Sequence, residues 1–235
     1  SAEDAVAFIG AGQAVSDLAH LGRADAWLLA VPDDQIAAVC AQLAEACPLN
    51  GALVFHCSGA KSSAELIAAA QAGALTASAH PIRSFADPGA VAHAFAGTWC
   101  GVEGAAGAVA MLEPALLAIG ARVALIDASA KTVYHAAAVF ASNYLVTVID
   151  TALRAYQAAG IPEAAARELA RPLATETLAN VFRLGPEAAL SGPIARGDMA
   201  TVERQQAAVA AWNPQAGDLY AALAAATVQL AGRRT

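Results

Sequence analysis

Short apolar runs of β type alternate with alanine-rich stretches along the first half of the chain. The runs are Val6–Ile9, Ala26–Val31, Ala52–His56, Leu75–Ala79 and Gly97–Val102. After about residue 127 such runs stop, and the pattern becomes that of helices separated by Gly, Pro and Asn. Alternating strands and helices are typical of a parallel sheet that is covered by helices. The pattern therefore predicts a doubly wound, mostly parallel α/β sheet in residues 1–126 and an all-α domain in residues 127–235.

A glycine-rich turn follows the first predicted strand. Gly10, Ala11 and Gly12 form a G-x-G segment, whose first glycine allows a tight turn and whose second lets the backbone approach a pyrophosphate. Such a segment begins the fingerprint of a Rossmann-type dinucleotide-binding fold. We assign these three residues to a binding site for NADP or NAD, with NADP slightly favoured.

The stretch between Gly12 and the next strong strand, which begins at Ala26, is too short for such a fold. A strand–helix–strand unit occupies ~30 residues, and the acidic residue that binds the ribose lies ~20 residues after the glycines. Either the interval carries a real deletion or a mobile segment is absent from this sequence. The second interpretation is favoured, because a deletion would remove internal strands, whereas the first helix of an empty cofactor site is often disordered. The residue that selects NAD or NADP then falls in the absent interval.

Polar or turn-forming residues follow three of the predicted strands. Pro32 and Asp33 come after Val31, the last residue of the first of these strands. Ser58 comes after the second strand, and His80, Arg83 and Ser84 come after the third. Because ligands of open α/β sheets bind at the carboxyl ends of the strands, we expect one cleft. The first set and Ser58 are assigned to the cofactor, and Ser58, His80, Arg83 and Ser84 to a substrate carboxylate or carboxamide. The alternative is an ordinary strand-to-helix turn with structural polar groups.

A long, otherwise apolar helix is predicted to begin at Lys131. Lys131 and His135 are spaced i, i+4, and Asn143 lies roughly two turns further along, so the three project from related faces. Buried polar groups cost several kcal/mol when nothing uses them. We therefore predict that Lys131 or His135 donates a proton and that Asn143 orients the substrate. The alternative is that Lys131 extends to solvent while the other two bind backbone groups.

A further candidate lies near the end of the helical half. The segment from Leu190 to Asp198 contains Ser191, Gly192 and Pro193, which are typical of a turn. Ser191 is assigned to the substrate site, although a loop so rich in fixed-geometry residues is often structural.

Composition excludes several classes of function. The net charge is −7, with 13 basic and 20 acidic residues, whereas a nucleic-acid-binding protein needs a basic face. No uninterrupted apolar run reaches the ~18 residues of a membrane span, and no secretory signal is visible at the start. The four scattered cysteines favour buried thiols in a reducing compartment over a metal or disulfide site. We expect a cytoplasmic enzyme that acts on a small molecule without a metal.

The order of the motifs resembles one family of proteins. The motifs are F-I-G-A-G, L-L-A-V-P-D-D, H-C-S-G-A, A-H-P-I-R-S-F, Y-H-A-A-A-V-F-A-S-N-Y and S-G-P-I-A-R-G-D, between Phe8 and Asp198. They resemble the Rossmann-like proteins whose helical half is the domain of unknown function 2520, within the 6-phosphogluconate dehydrogenase-like superfamily. The Y-H-A-A-A and S-G-P blocks are the specific ones.

The resemblance implies an NAD(P)-dependent oxidoreductase acting on CH–OH or C=N groups, and a homodimer formed through the helical domain. Lys131 resembles the catalytic lysine of β-hydroxyacid dehydrogenases, but His135 stands where they carry an asparagine, and Asn143 is the asparagine on offer. Ser58 resembles the serine that binds their substrate. A carboxylate-bearing oxoacid such as ketopantoate is the leading substrate. The alternatives are a dinucleotide-binding sensor or assembly protein without activity, and an NADP reductase that uses deazaflavin.

Overall fold

The chain divides into two compact units, Ser1–Ser142 and Asn143–Thr235. The computed structural model describes residues 1–233. The domain boundary predicted after residue 126 stays a prediction, since compactness alone does not establish where an independently folding domain ends.

The first unit is built on a five-stranded sheet. Its strands are β1 (Ala26–Leu29), β2 (Leu53–His56), β3 (Leu75–Pro81), β4 (Trp99–Gly104) and β5 (Arg122–Leu125). They lie in the order β1-β2-β3-β4-β5, and every neighbouring pair is parallel except β3 and β4. The predicted mostly parallel sheet is confirmed, and the four runs from Ala26 onward form its first four strands. β5 was not predicted, because its short run merges with the apolar pattern of the preceding helix.

Helices cover both faces of this sheet. The α-helices of the first unit are α1 (Ala2–Ile9), which buries none of its residues, α2 (Ile36–Ala46), α3 (Ile67–Gln71), α4 (Pro88–His93), α5 (Ala106–Ala118) and α6 (Lys131–Ala141). On one face Cys40 of α2 belongs to the same core as Leu29 and Val54 of the sheet. On the other, Leu112 of α5 belongs to a core with Val102. The doubly wound arrangement is therefore confirmed.

The first predicted strand, Val6–Ile9, is wrong. These residues lie in α1, which begins at a capping box formed by Ser1 and Asp4 and buries none of its residues. Phe8 and Ile9 stay 64% and 70% exposed. A strand needs a neighbour for its backbone N–H and C=O groups, whereas a capped helix satisfies most of them within itself.

The described part of the second unit is helical, as predicted. Its helices are α7 (Asn143–Ala158), α8 (Glu163–Leu184), α9 (Pro186–Ala189), α10 (Met199–Trp212) and α11 (Pro214–Ala231). The prediction of one continuous helix from Lys131 through Asn143 is wrong. Ser142, with φ −126° and ψ −74°, separates α6 from α7, and its N–H bonds to Val139 O at 3.4 Å instead of to the carbonyl four residues back.

The stretch Ala128–Ala158 is long and apolar enough to cross a membrane by length and composition alone. None of its most apolar window is buried within the structure. Apolar helices of proteins that never enter a membrane pass the same test, so the expected absence of a membrane segment stays a prediction.

Candidate active site

Two loops at the carboxyl ends of β1 and β2 are joined through the hydroxyl of Ser58. Its Oγ donates to Oδ2 of Asp33 at 2.7 Å. It also accepts from the backbone N–H groups of Ala60 and Lys61, at 3.2 and 2.9 Å. A hydroxyl has one hydrogen and two lone pairs, so Ser58 is fully engaged. Its observed contacts order the loop instead of leaving a donor for a substrate.

His56, the last residue of β2, also orders the loop that follows β2. Its Nδ1 accepts from the N–H of Ser58 at 3.2 Å, and its Nε2 lies 3.1 Å from the carbonyl oxygen of Ser62. One ring nitrogen therefore accepts and the other donates, which is the pattern of a neutral imidazole. Burial lowers the pKa of His56, in agreement with that neutral form.

Three rings meet where β3 ends beneath α6. Nδ1 of His80 lies 3.2 Å from the hydroxyl of Tyr134. The rings of His80 and His135 meet edge to face with centroids 5.5 Å apart. Gly59 closes the cluster: a β-carbon there would lie 2.8 Å from Nε2 of His80 and within the contact radius of Nδ1 of His135. We call His80, Tyr134 and His135 the ring cluster.

Burial sets the protonation of two members of the ring cluster. It lowers the pKa of His80 to about 4, and the neighbouring His135 and Lys131 act in the same direction. Burial also raises the pKa of Tyr134. At neutral pH His80 is therefore an uncharged imidazole and Tyr134 keeps its proton. Nδ1 of His135 is buried and has no hydrogen-bond partner, although the residue as a whole is only half-buried.

Lys131 is enclosed. Its side chain is 1% exposed, and Nζ lies 3.5 Å from Oε1 of Glu103. It also donates to Oγ of Ser78. Glu103 is held in turn by the N–H and the hydroxyl of Ser63, both at 2.7 Å. Burial lowers the pKa of Lys131, while Glu103 opposes that shift.

The remaining predicted residues of the first unit lie apart from the ring cluster's hydrogen bonds. Arg83 donates to the carbonyl of Ala94 and, at 3.0 Å, to Oγ1 of Thr98. Ser84 is exposed in the loop after β3. After β1, Val31 packs on the core beside α2 and Pro32 is exposed.

Two predicted residues belong to the second unit. Asn143 is exposed at the start of α7. Ser191 lines a pocket of about 440 Å³, together with Glu176, Asn180 and Leu230 among others. The helical periodicity that placed Asn143 on a face with Lys131 does not apply, because Ser142 interrupts the helix.

The glycine segment does not form a pyrophosphate-binding turn in this structure. Gly10 ends α1 with φ 75°, and Gly12 has φ 98°. Atoms from other parts of the chain lie more than 4 Å from the β-carbon position of either glycine. At the edge formed by β1, β2 and β3, by contrast, the loop of Asp33 is bonded to Ser58 and the backbone of Gly59 lies against the ring cluster.

Sequence reasoning overlooked three residues of this region. Tyr134 shares the sheet-facing side of α6 with Lys131 and His135, and its position three residues after Lys131 was the available signal. Glu103 is a carboxylate in an otherwise apolar strand, which is rare without a partner. Gly59 gave no signal, because only the packed rings show that a side chain has no room there.

Comparison with known proteins agrees with this architecture. Among solved structures, protein TM1727 from Thermotoga maritima superposes with a TM-score of 0.75 at 25% identity, covering 91% of this chain and 81% of that chain. A Bacteroides fragilis protein provisionally named an NADP oxidoreductase gives 0.71 at 22% identity, covering 92% and 80%. The imine reductase from Myxococcus stipitatus in complex with NADP+ gives 0.61 at 15% identity, covering 92% and 77%.

The family models cover most of the chain. No match was found among curated proteins. The model of a Rossmann-like domain matches residues 10–81. The model of the domain of unknown function DUF2520 matches residues 98–227. The chain belongs to the DUF2520 family, with a Rossmann-like domain in its N-terminal part.

Proposed function

We propose that the protein is a nicotinamide-dinucleotide-dependent oxidoreductase that reduces the C=O or C=N bond of a small molecule. The observation that carries the proposal is the ring cluster, which lies at the edge where β1, β2 and β3 end. In open α/β sheets this edge is where ligands bind. A cluster of titratable rings that includes a half-buried histidine is a candidate acid–base group.

The chemistry divides between cofactor and protein. A reduced nicotinamide supplies the hydride to the substrate carbon, and the protein supplies the proton to the oxygen or nitrogen. We assign that proton transfer to His135, because it is only half-buried, whereas the side chain of Lys131 is 1% exposed and paired with Glu103. His80 and Tyr134 orient it: neutral His80 lies edge-on to the ring of His135, and the hydroxyl of Tyr134 holds His80.

The structural relatives support the cofactor class. The imine reductase was solved with NADP+, and the pyrroline carboxylate reductase from Plasmodium falciparum, with a TM-score of 0.58, was solved with NADP bound. We propose NADP or NAD for this chain, with NADP slightly favoured.

The substrate class is the finer part of the proposal. A carboxylate-bearing oxoacid of the ketopantoate type remains the first substrate to test. In this structure Lys131 and Arg83 already bind other groups, and Ser58 is engaged with Asp33. A carboxylate would therefore depend on donors other than these three, and cyclic imines without a carboxylate belong in the same panel.

The test is oxidation of NADPH and NADH by the purified protein on a panel of 2-oxoacids and cyclic imines, with binding of each dinucleotide measured separately. Replacement of His135 by Gln is expected to lower kcat ~10²–10⁴-fold while dinucleotide affinity is retained. His93→Gln is the matched control, because His93 is exposed at the end of α4. Absence of dinucleotide binding by the wild-type protein would refute the proposal, and binding without turnover on the whole panel would favour a sensor.

We also propose a homodimer formed through the helical unit. Large apolar side chains are exposed on its helices, among them Val146 of α7 and Phe182 of α8, which is 88% exposed. Large apolar side chains that are exposed in one chain are candidates for burial against a second copy. Sedimentation equilibrium is expected to give twice the monomer mass, and Phe182→Glu is expected to weaken the dimer.

A further inference from the structure

A row of buried polar side chains crosses three strands on one face of the sheet. His56 of β2 pairs with Ser78 of β3, which pairs with Glu103 of β4. Each of the three is at most 4% exposed. Lys131, the first residue of α6, lies over this row and donates to Ser78.

Every group in the row has a partner. Glu103 accepts from Ser63 through two bonds of 2.7 Å and faces Lys131 at 3.5 Å. A lysine is unfavourable at the first residue of a helix, where the helix dipole is positive. Glu103 supplies the negative charge that offsets both the helix dipole and the lysine. The pair therefore ties the beginning of α6 to β4 and to the loop that carries Ser63.

The ring cluster lies next to the polar row on the same three elements, β3, β4 and α6. In β3, His80 is two residues beyond Ser78 and so points to the same face of the sheet. In β4, Gly101 is two residues before Glu103, and a β-carbon there would collide with the hydroxyl of Tyr134. Tyr134 and His135 follow Lys131 by three and four residues, about one turn along α6. Attachment of Lys131 to the polar row thus sets where these two rings meet His80.

We propose that Lys131 and Glu103 are positioning residues for the acid–base group, and that neither contacts the substrate. Their ion pair holds the start of α6 on the sheet, so that Tyr134 and His135 lie against His80 and Gly59. This inference rests on the proposed function only for its effect on turnover, because the geometry itself can be followed without a substrate.

The ion pair also acts on His80 through charge. The groups that face His80 are Tyr134, His135 and Lys131 from α6, and Asp33 from the loop after β1. The positive charge of Lys131 disfavours a second positive charge on His80, whereas Asp33 favours one. Removal of the Lys131 charge is therefore expected to raise the pKa of His80, an effect that loss of packing alone does not predict.

The experiment follows the imidazole of His80 by NMR during a pH titration of the histidine-labelled full chain. The variants are Lys131→Met, Lys131→Arg and the double variant Lys131→Met with Glu103→Gln. Arg167→Met is the matched control, because Arg167 forms an exposed ion pair with Glu163 at 2.6 Å. Turnover and its pH profile are measured on the best substrate of the panel.

We expect Lys131→Met to shift the His80 titration to higher pH and to lower kcat at least tenfold, with the dinucleotide affinity unchanged. Lys131→Arg is expected to retain the wild-type titration and most of the turnover, and Arg167→Met to change neither. If Lys131→Met does not fold, the double variant, which removes both charges, takes its place.

Two results would overturn the inference. One is a His80 titration that is the same in wild type and in the charge-removing variants. The other is a Lys131→Arg variant that loses as much turnover as Lys131→Met while its His80 titration is unchanged, since that would make Lys131 itself the proton donor. The NMR titration needs no turnover, so failure of the positioning role can be distinguished from failure of the proposed activity.

Discussion

Replacement of Gly59 by alanine adds one methyl group at the point where His80 and His135 converge. The new β-carbon would lie 2.8 Å from Nε2 of His80 and closer still to Nδ1 of His135. Such approaches do not occur in relaxed structures, so at least one ring must move. Because α6 is tied to the sheet through Lys131 and Glu103, we expect His135 to rotate away before the helix shifts.

Two opposing effects set the magnitude. Overpacking of a well-filled site costs about 1–3 kcal/mol, while alanine stabilises by about 0.4–1 kcal/mol because it reduces the entropy of the unfolded chain. The net expectation is a decrease of about 1–2 kcal/mol in the free energy of unfolding. Gly22→Ala is the matched control, since its β-carbon position has no neighbour within 4 Å.

The assay is urea denaturation followed by tryptophan fluorescence in a Trp212→Phe background. Trp27 and Trp99 lie in the first unit, so the remaining signal reports on the unit that contains Gly59. We also expect Gly59→Ala to lower kcat more than Gly22→Ala does. Equal unfolding free energies and equal turnover in the two variants would show that the rings do not fill the space above Gly59.

Three further predictions concern single side chains. Burial lowers the pKa of His80 from 6.5 to about 4, so the unfolded chain binds a proton at a higher pH than the folded protein does. The free energy of unfolding should therefore decrease as the pH falls from 6.5 to 4. His80→Gln should make the free energy of unfolding, measured by urea denaturation, less dependent on pH in this range. Arg83→Ala should lower the free energy of unfolding, because it removes the hydrogen bonds to Ala94 and Thr98. The KM for a 2-oxoacid substrate should stay unchanged. A tenfold rise in KM would show that Arg83 binds the substrate carboxylate. Ser58→Ala should lower the free energy of unfolding by about 1 kcal/mol in calorimetry, since it removes the hydrogen bonds to Asp33, Ala60 and Lys61. An unchanged value would contradict the bridging role of Ser58.

The periodicity of the apolar runs was sufficient to predict most strands and helices of the fold. Buried strands such as Leu53–His56 and Leu75–Pro81 are marked by β-type apolar residues and by the polar groups that follow them, and both properties are local. Local pattern failed at Val6–Ile9, because the same residues satisfy a capped helix when no neighbouring strand is in place. It failed again at Ser142, where a single residue with non-helical angles divides an apolar run into two helices.

The candidate site was predicted in its residue types but not in its roles. The sequence pointed to His80, Lys131 and His135, and the structure brings all three to one face of β3 and β4. Exposure then separates them: Lys131 is enclosed by Glu103 and Ser78, whereas His135 is half-buried beside His80. Burial and pairing across strands depend on register and on the packing of α6, which no local pattern contains. Position along the chain therefore selected the candidates, and tertiary contacts decide which of them is enclosed and which stays half-buried.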